Sequence, residues 1–214
     1  AIGSYVGRTL VSKNPVVVGL PQTFSPDQIR FLISPMPTAG AISLCHLVGI
    51  TPEAPAVEAA LGGKPPEARI SVGIEEIKSS FRKLTTTQKE DVDMVAFGCP
   101  HCSLPQIREI ASLLEGKKVN PNTRLWVATS GHLRNLAQRM GYVEIIERAG
   151  GLVLSDLCVA PGAPFHFVPG VKTVAINSAR GAYFIPGACN VDVIFGNTQD
   201  CIQAAVDGKW RGSR

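Results

Sequence analysis

Cys99 closes the strand-like run DMVAFG at 93 to 98 and stands just ahead of the helical pattern SLPQIREIASLLEG. Unpaired N–H groups and the helix dipole at such a place favour a thiolate over a thiol, so a reactive or metal-ligating cysteine is the chemistry to expect there. Cys158 follows a second strand-like run, GLVLSD at 151 to 156, by two residues. It belongs on the same rim, one or two strands away, and the two sulfurs could share a metal. The bland reading of any free cysteine is a small buried hydrophobe, and Cys45, Cys189 and Cys201 are assigned to it.

The tetrapeptide Cys99-Pro100-His101-Cys102 supports a rival chemistry. A C-x-x-C at a strand-to-helix turn is a thiol–disulfide exchange motif, and the Pro-His between the cysteines resembles the strongly oxidising members of the thioredoxin superfamily. Against it stand the absence of an export signal, the parallel strands expected after the motif, and the second rim cysteine at 158. A structural zinc site ranks third, because no second C-x-x-C or H-x3-H is present.

Two further segments suit anions. In Ser130-Gly131-His132-Leu133-Arg134 and Asn177-Ser178-Ala179-Arg180-Gly181, small hydroxyl residues precede a helix start, where carboxylate or phosphate binds. An arginine fork would add bidentate grip; Arg180 is read as functional and Arg134 as a solvated side chain. His46, on an apolar run, reads as a satisfied core histidine, and Glu53 in TPEA as first-turn charge of a helix or a substrate contact. His166, in APGAPFHFVPG, has no spacing argument.

The elements that must position these residues are legible from residue 93 onward. DMVAFG, RLWVAT (124–129), GLVLSD, KTVAINS (172–178) and DVIFG (192–196) read as strands. Between them lie a helix with Ser103 and Gln106 as a capping box, a helix from about His132 to Arg148, and a final helix capped by Thr198. Strands alternating with helices predict a parallel α/β sheet flanked by helices, and ligands of such sheets sit at the carboxyl ends of the strands. Before that, Val16 to Leu20 and residues 39 to 50 read as strands. The segment PQTFSPDQIRFLI reads as a helix with Ile29, Phe31 and Leu32 inward, Pro55 to Leu61 as a short helix, and Ile74, Ile77, Phe81 and Leu84 as one helical face. Gly62-Gly63-Lys64-Pro65-Pro66 breaks the pattern. The predicted organisation is therefore a partial α/β unit over 1–66, continuing from a missing N-terminal region, and a parallel α/β domain over 67–214 carrying the cysteine rim.

Composition narrows the function classes. With 214 residues, 45% hydrophobic and 18% charged, the chain can bury a sizeable core, and wholesale disorder is excluded. A net charge of +4 without a basic block, and only 6% aromatics, make nucleic acid a poor partner. No apolar run approaches the roughly 20 residues of a membrane helix. The opening AIGSYVGRTL has no signal-peptide pattern, so a cytoplasmic, reducing setting is expected. Starting at Ala1 and entering a strand-like run almost at once, the chain is expected to be a fragment.

Taken together, LCHLVGITPEAP, FGCPHCS, the cysteine of LSDLCV and INSARGAYFIPG resemble the large subunit of the aconitase X family, over nearly the whole chain. Only the rear half of that subunit has a counterpart; the front catalytic part and the small swivelling domain do not. The resemblance implies aconitase-like three-layer α/β units and a hydro-lyase dependent on an iron–sulfur cluster or mononuclear iron, acting on a small hydroxy acid such as cis-3-hydroxy-L-proline or phosphorylated mevalonate. It further implies Cys99 and Cys158 as two iron ligands, with the third outside this chain. Arg180, with Ser130, would hold the substrate carboxylate, Glu53 would be a further substrate-binding residue, and His101 would be an orienter or proton relay while the base comes from the swivelling domain. Cys102, Cys45 and Gln106 depart from the family pattern. The alternatives are the thiol–disulfide oxidoreductase and a non-catalytic piece that needs a partner to complete the site.

Overall fold

The structure, a computed structural model, describes residues 1–159 and 169–212; His166 lies outside them. The chain forms two compact units, Ala1–Ser80 and Phe81–Arg214.

The first unit contains α1 (Ile2–Thr9), β1 (Val16–Val17), α2 (Pro26–Ile33), α3 (Pro35–Gly40), β2 (His46–Leu47), α4 (Val57–Ala60) and most of α5 (Ile74–Leu84). Both predicted strands shrink to two paired residues, with Val16 beside His46 and Val17 beside Leu47 in parallel. Val18 turns out to solvent, and of the run assigned to the second strand only residues 39 and 40 are helical, at the end of α3, while the rest outside β2 is irregular chain and turn. The reason is close packing of small residues that no strand or helix periodicity advertises. A Cβ on Gly40 would sit 1.8 Å from the Gly7 carbonyl oxygen, so α1 and α3 meet backbone to backbone. Helix α2 forms as read, with Ser25 and Gln28 in a capping box; Ile29 and Leu32 join the core around Val6, Met36 and Leu47, whereas Phe31 is half-buried outside it.

The division falls after Ser80, not at the glycine–proline stretch near residue 66, which lies inside the first unit. Helix α5 runs unbroken through it. Ser80, fully buried, accepts from the Arg8 guanidinium at 2.7 Å and donates to the Ala1 carbonyl at 3.0 Å, whereas the next residue, Phe81, packs its ring 4.7 Å from that of Phe195.

The second unit contains β3 (Met94–Phe97), α6 (Leu104–Leu114), β4 (Arg124–Thr129), α7 (Gly131–Arg139), α8 (Tyr142–Ala149), β5 (Gly151–Ser155), β6 (Thr173–Ile176), α9 (Ala179–Cys189), β7 (Asp192–Phe195) and α10 (Thr198–Asp207). The five strands form one parallel sheet in the order β5-β4-β3-β6-β7. This is the α/β architecture expected, with helices on both faces. Along β3 the side chains alternate: Val95 and Phe97 enter the core made with α6, α7, α8 and α10, while Met94 and Ala96 enter the core made with α9 and the end of α5.

Three local readings change. The helix expected over 132–148 is two helices, because Gly141 takes φ +79 between them. The cap of α10 is Asn197, whose side chain accepts the Asp200 N–H at 2.7 Å, not Thr198. Helix α9 extends for 11 residues across Pro186, a length that no sequence pattern showed.

Candidate active site at the carboxyl edge of the sheet

Chain direction across the sheet reverses between β3 and β6, whose crossovers leave in opposite directions, and in open parallel sheets ligands bind in the crevice at that point. Cys99 follows β3 there, and Ser178 and Arg180 follow β6. Gly98 makes the exit turn: it takes φ +117, and a Cβ would sit 2.4 Å from the Ala128 carbonyl oxygen, so only glycine fits before the cysteine.

Cys99 is 5% exposed. Its Cβ lies 3.5 Å from where a Cβ on Gly181 would stand, so it packs against the first turn of α9 and not at the start of α6, whose cap, Ser103, comes four residues later. The expectation of a favoured thiolate is not met by the surroundings of the side chain. Burial pushes the Cys99 thiol up, the charge of Cys158 pushes it further, and the neighbouring Ser178 hydroxyl and the charge of Arg180 oppose both. Cys158, two residues past Asp156, is exposed on a loop beyond the edge strand β5.

Ser178 caps α9 by accepting the Gly181 N–H at 3.0 Å and donates to the Cys99 carbonyl oxygen. Arg180 is exposed, its guanidinium 6.0 Å from the centre of the Phe184 ring, which orients it without neutralising it. Arg134, expected as a solvated side chain, is instead held by the fold: Nε donates to the Val153 carbonyl at 3.2 Å and the guanidinium pairs with Glu147 at 3.5 Å.

Ser130 is the N-cap residue of α7 but its side chain makes no capping hydrogen bond; the hydroxyl lies 3.5 Å from His132 Nε2. The helix start expected to hold a substrate anion instead receives the chain's own carboxylate, since Asp156 Oδ1 accepts the Gly131 N–H at 3.1 Å. Asp156 escaped the sequence reading. Its position directly after a strand on the rim was the available signal. His101 turns towards the Cys158 loop, with Nε2 2.9 Å from the Leu157 carbonyl oxygen.

Cys102 is also buried, but in the other core, with Phe97 and Ile107, while Cys99 packs with Met94 and Ala96. The two cysteines of the C-x-x-C thus enter cores on opposite faces of the sheet, and the arrangement for disulfide exchange across the tetrapeptide is not there. Cys102 serves the turn through its backbone: its N–H donates to the Ala128 carbonyl at 2.9 Å and its carbonyl accepts from the Thr129 hydroxyl at 2.7 Å.

In the first unit, Glu53 lies in a turn ahead of α4, not in its first helical turn, and pairs with half-buried His46 at 3.2 Å. Burial and the Glu53 charge push the neighbouring Cys45 thiol up. Among the described residues, no group of three His, Cys, Asp or Glu is placed to hold a metal ion by itself, and no helix is long and apolar enough to cross a membrane.

Comparison with known proteins shows the family. Residues 1–82 match the aconitase X second domain and residues 92–207 the aconitase X third domain. The chain belongs to the aconitase X family. It is 38% identical over 205 residues to the phosphomevalonate dehydratase large subunit of Methanocaldococcus jannaschii, covering 95% of this chain and 49% of that protein. It is 28% identical over 210 residues to the cis-3-hydroxy-L-proline dehydratase of Pseudomonas aeruginosa, covering 97% of this chain and 36% of that protein. The holo-form crystal structure of aconitase X from Thermococcus kodakaraensis superposes with a TM-score of 0.76 at 30% identity, over 95% of this chain and 50% of that one. This aconitase X chain thus spans about a third to a half of the length of the relatives it matches.

Proposed function

We propose that this chain contributes part of the active site of an aconitase X hydro-lyase, dependent on iron or an iron–sulfur cluster, that eliminates water from a small hydroxy acid. The observation that carries the reading is that the two thiol-bearing loops meet: His101, two residues from Cys99, lies with Nε2 2.9 Å from the carbonyl oxygen of Leu157, the residue before Cys158, and Ser178 ties the Cys99 backbone to the start of α9, the helix that carries Arg180. Thiolates are the donors such iron centres take, and the residues present fit two of the ligands: one thiol is buried against α9 and the other comes from an exposed loop. The third ligand comes from outside this chain. When bound, the metal supplies Lewis-acid polarisation of the substrate hydroxyl, making hydroxide a tolerable leaving group.

The chain's own residues bind and orient. Arg180, exposed and held over Phe184, takes the substrate carboxylate and stabilises the charge that develops as the adjacent carbon loses its proton. Ser130, whose hydroxyl is not used for capping, is a further rim donor. Glu53 is included as a substrate contact on the strength of the motif HLVGITPEA alone. The proton is taken by a residue of the small swivelling partner.

Higher identity to phosphomevalonate dehydratase large subunits makes phosphorylated mevalonate the first substrate to test and cis-3-hydroxy-L-proline the second. The experiment is anaerobic reconstitution of the complete protein with its small partner, measuring iron, sulfide, the visible spectrum and turnover of each compound. The expected result is iron in the protein and dehydration of one of the two; iron-free protein, or turnover of neither, overturns the reading.

A further inference from the structure

Cys158 lies three residues beyond β5, an edge strand, where the sheet ladder no longer fixes the chain. Three hydrogen bonds fix the approach to it. The Asp156 N–H donates to the Thr129 carbonyl at 2.9 Å, the Asp156 carboxylate accepts the Gly131 N–H at 3.1 Å, and His101 Nε2 lies 2.9 Å from the Leu157 carbonyl oxygen. A carbonyl only accepts, so Nε2 is the nitrogen that carries the proton. Asp156 also takes φ +59, a left-handed conformation that Asp tolerates better than most residues because its short polar side chain bonds locally. His101 is two residues from Cys99, and the carbonyl it holds is that of the residue before Cys158. Its ring therefore straps one thiol-bearing loop to the other.

We propose that His101 and Asp156 are positioning residues that set the separation of the Cys99 and Cys158 sulfurs, His101 by strapping the loops together and Asp156 by anchoring the Cys158 loop to α7. The inference rests on reading those cysteines as ligands. It moves His101 from the substrate to the metal site: with Nε2–H on a carbonyl, the imidazole acts through Cys158. Side chains that orient ligands in this way typically set metal affinity within a factor of 10 to 100.

Anaerobic titration of the full chain with cobalt(II) alone, followed by thiolate-to-cobalt absorption in the near ultraviolet, tests this without turnover. His101→Ala and Asp156→Ala are expected to weaken cobalt binding by about 10- to 100-fold. His101→Gln, whose amide N–H reaches about as far as Nε2, and Asp156→Asn, which still accepts the Gly131 N–H, are expected to restore it. Wild-type affinity in both alanine variants overturns the proposal, as does a glutamine variant no better than alanine. Loss of the folded circular-dichroism signal in both His101→Ala and His101→Leu also overturns it, because the ring would then support the fold and not the sulfur. If Cys99→Ala and Cys158→Ala bind cobalt as tightly as wild type, the two-thiolate reading itself falls. If they lose cobalt while the His101 and Asp156 variants keep it, only the positioning roles fall.

Discussion

The Ser178 hydroxyl joins two strand ends: it donates to the backbone carbonyl of Cys99, at the end of β3, and accepts the Gly181 N–H at 3.0 Å, at the start of the helix that follows β6. One buried side chain therefore holds the thiol-bearing turn against the helix that carries Arg180. Ser178→Ala leaves a buried carbonyl and a buried N–H without this partner and is expected to lower stability by about 2 kcal/mol. Urea denaturation checks it; a loss below about 0.5 kcal/mol, the range of ordinary surface substitutions, would show that the hydroxyl is not needed there.

Gly98 sets where Cys99 points. In Gly98→Ala, the new methyl would meet the Ala128 carbonyl oxygen at 2.4 Å, at a φ of +117 that alanine rarely adopts. The expected cost is about 3 kcal/mol, together with loss of metal binding as the turn shifts. Wild-type stability and cobalt affinity in this variant would show that the turn can rearrange freely.

Cys102→Ala separates the two readings of the C-x-x-C. Because Cys102 packs with Phe97 and Ile107, away from Cys99, its loss is expected to leave iron content unchanged and to cost about 1 kcal/mol for the small cavity. Iron analysis of the reconstituted protein, beside an assay of disulfide reduction, checks it. Loss of iron, or a disulfide-exchange activity that depends on Cys102, would contradict the packing described.

Arg180 is exposed, and among the described residues its guanidinium lies over the Phe184 ring, so Arg180→Ala should change stability by less than about 0.5 kcal/mol. In the complete enzyme the same change should lower kcat/KM by about 100-fold, as loss of one charge-stabilising donor does. A variant of unchanged kcat/KM would remove Arg180 from the site.

Cys201 supplies a pH dependence. Fully buried and next to Asp200, its thiol is pushed well above the ordinary range, so the folded protein holds this proton to higher pH than the unfolded chain does. The contribution to stability is complete below the ordinary thiol pKa of about 8.5 and is lost progressively as pH rises above it. Denaturation between neutral and alkaline pH should show a steeper decline for wild type than for Cys201→Ala; parallel curves would refute it.

Where the chain could be read correctly, the determinants were local. Ser103 and Gln106 bond each other's backbone within one turn, so α6 was legible from four residues, and the run RLWVAT coincides with β4. Where the reading failed, the missing partner was distant. Helices α1 and α3 owe their contact to Gly7 and Gly40, 33 residues apart, and the division after Ser80 follows from what Ser80 and Phe81 each pack against on a helix that looks continuous. The candidate site was half legible: Cys99, Cys158 and Arg180 were singled out as strand-end residues, whereas Asp156 was passed over because its partner, the N–H of Gly131, belongs to another element.

From residues alone it followed that strands and helices alternate in the second unit and that the cysteines and hydroxyls lie at strand ends, because apolar runs and caps act over a few residues. Strand order, the reversal between β3 and β6, the opposite faces taken by Cys99 and Cys102, and the joining of the two thiol loops by His101 belong to tertiary structure. Spacing along a chain tells which end of a strand a residue occupies, but not which strand stands beside it. That choice is made by the packing of whole helices against the two faces of the sheet.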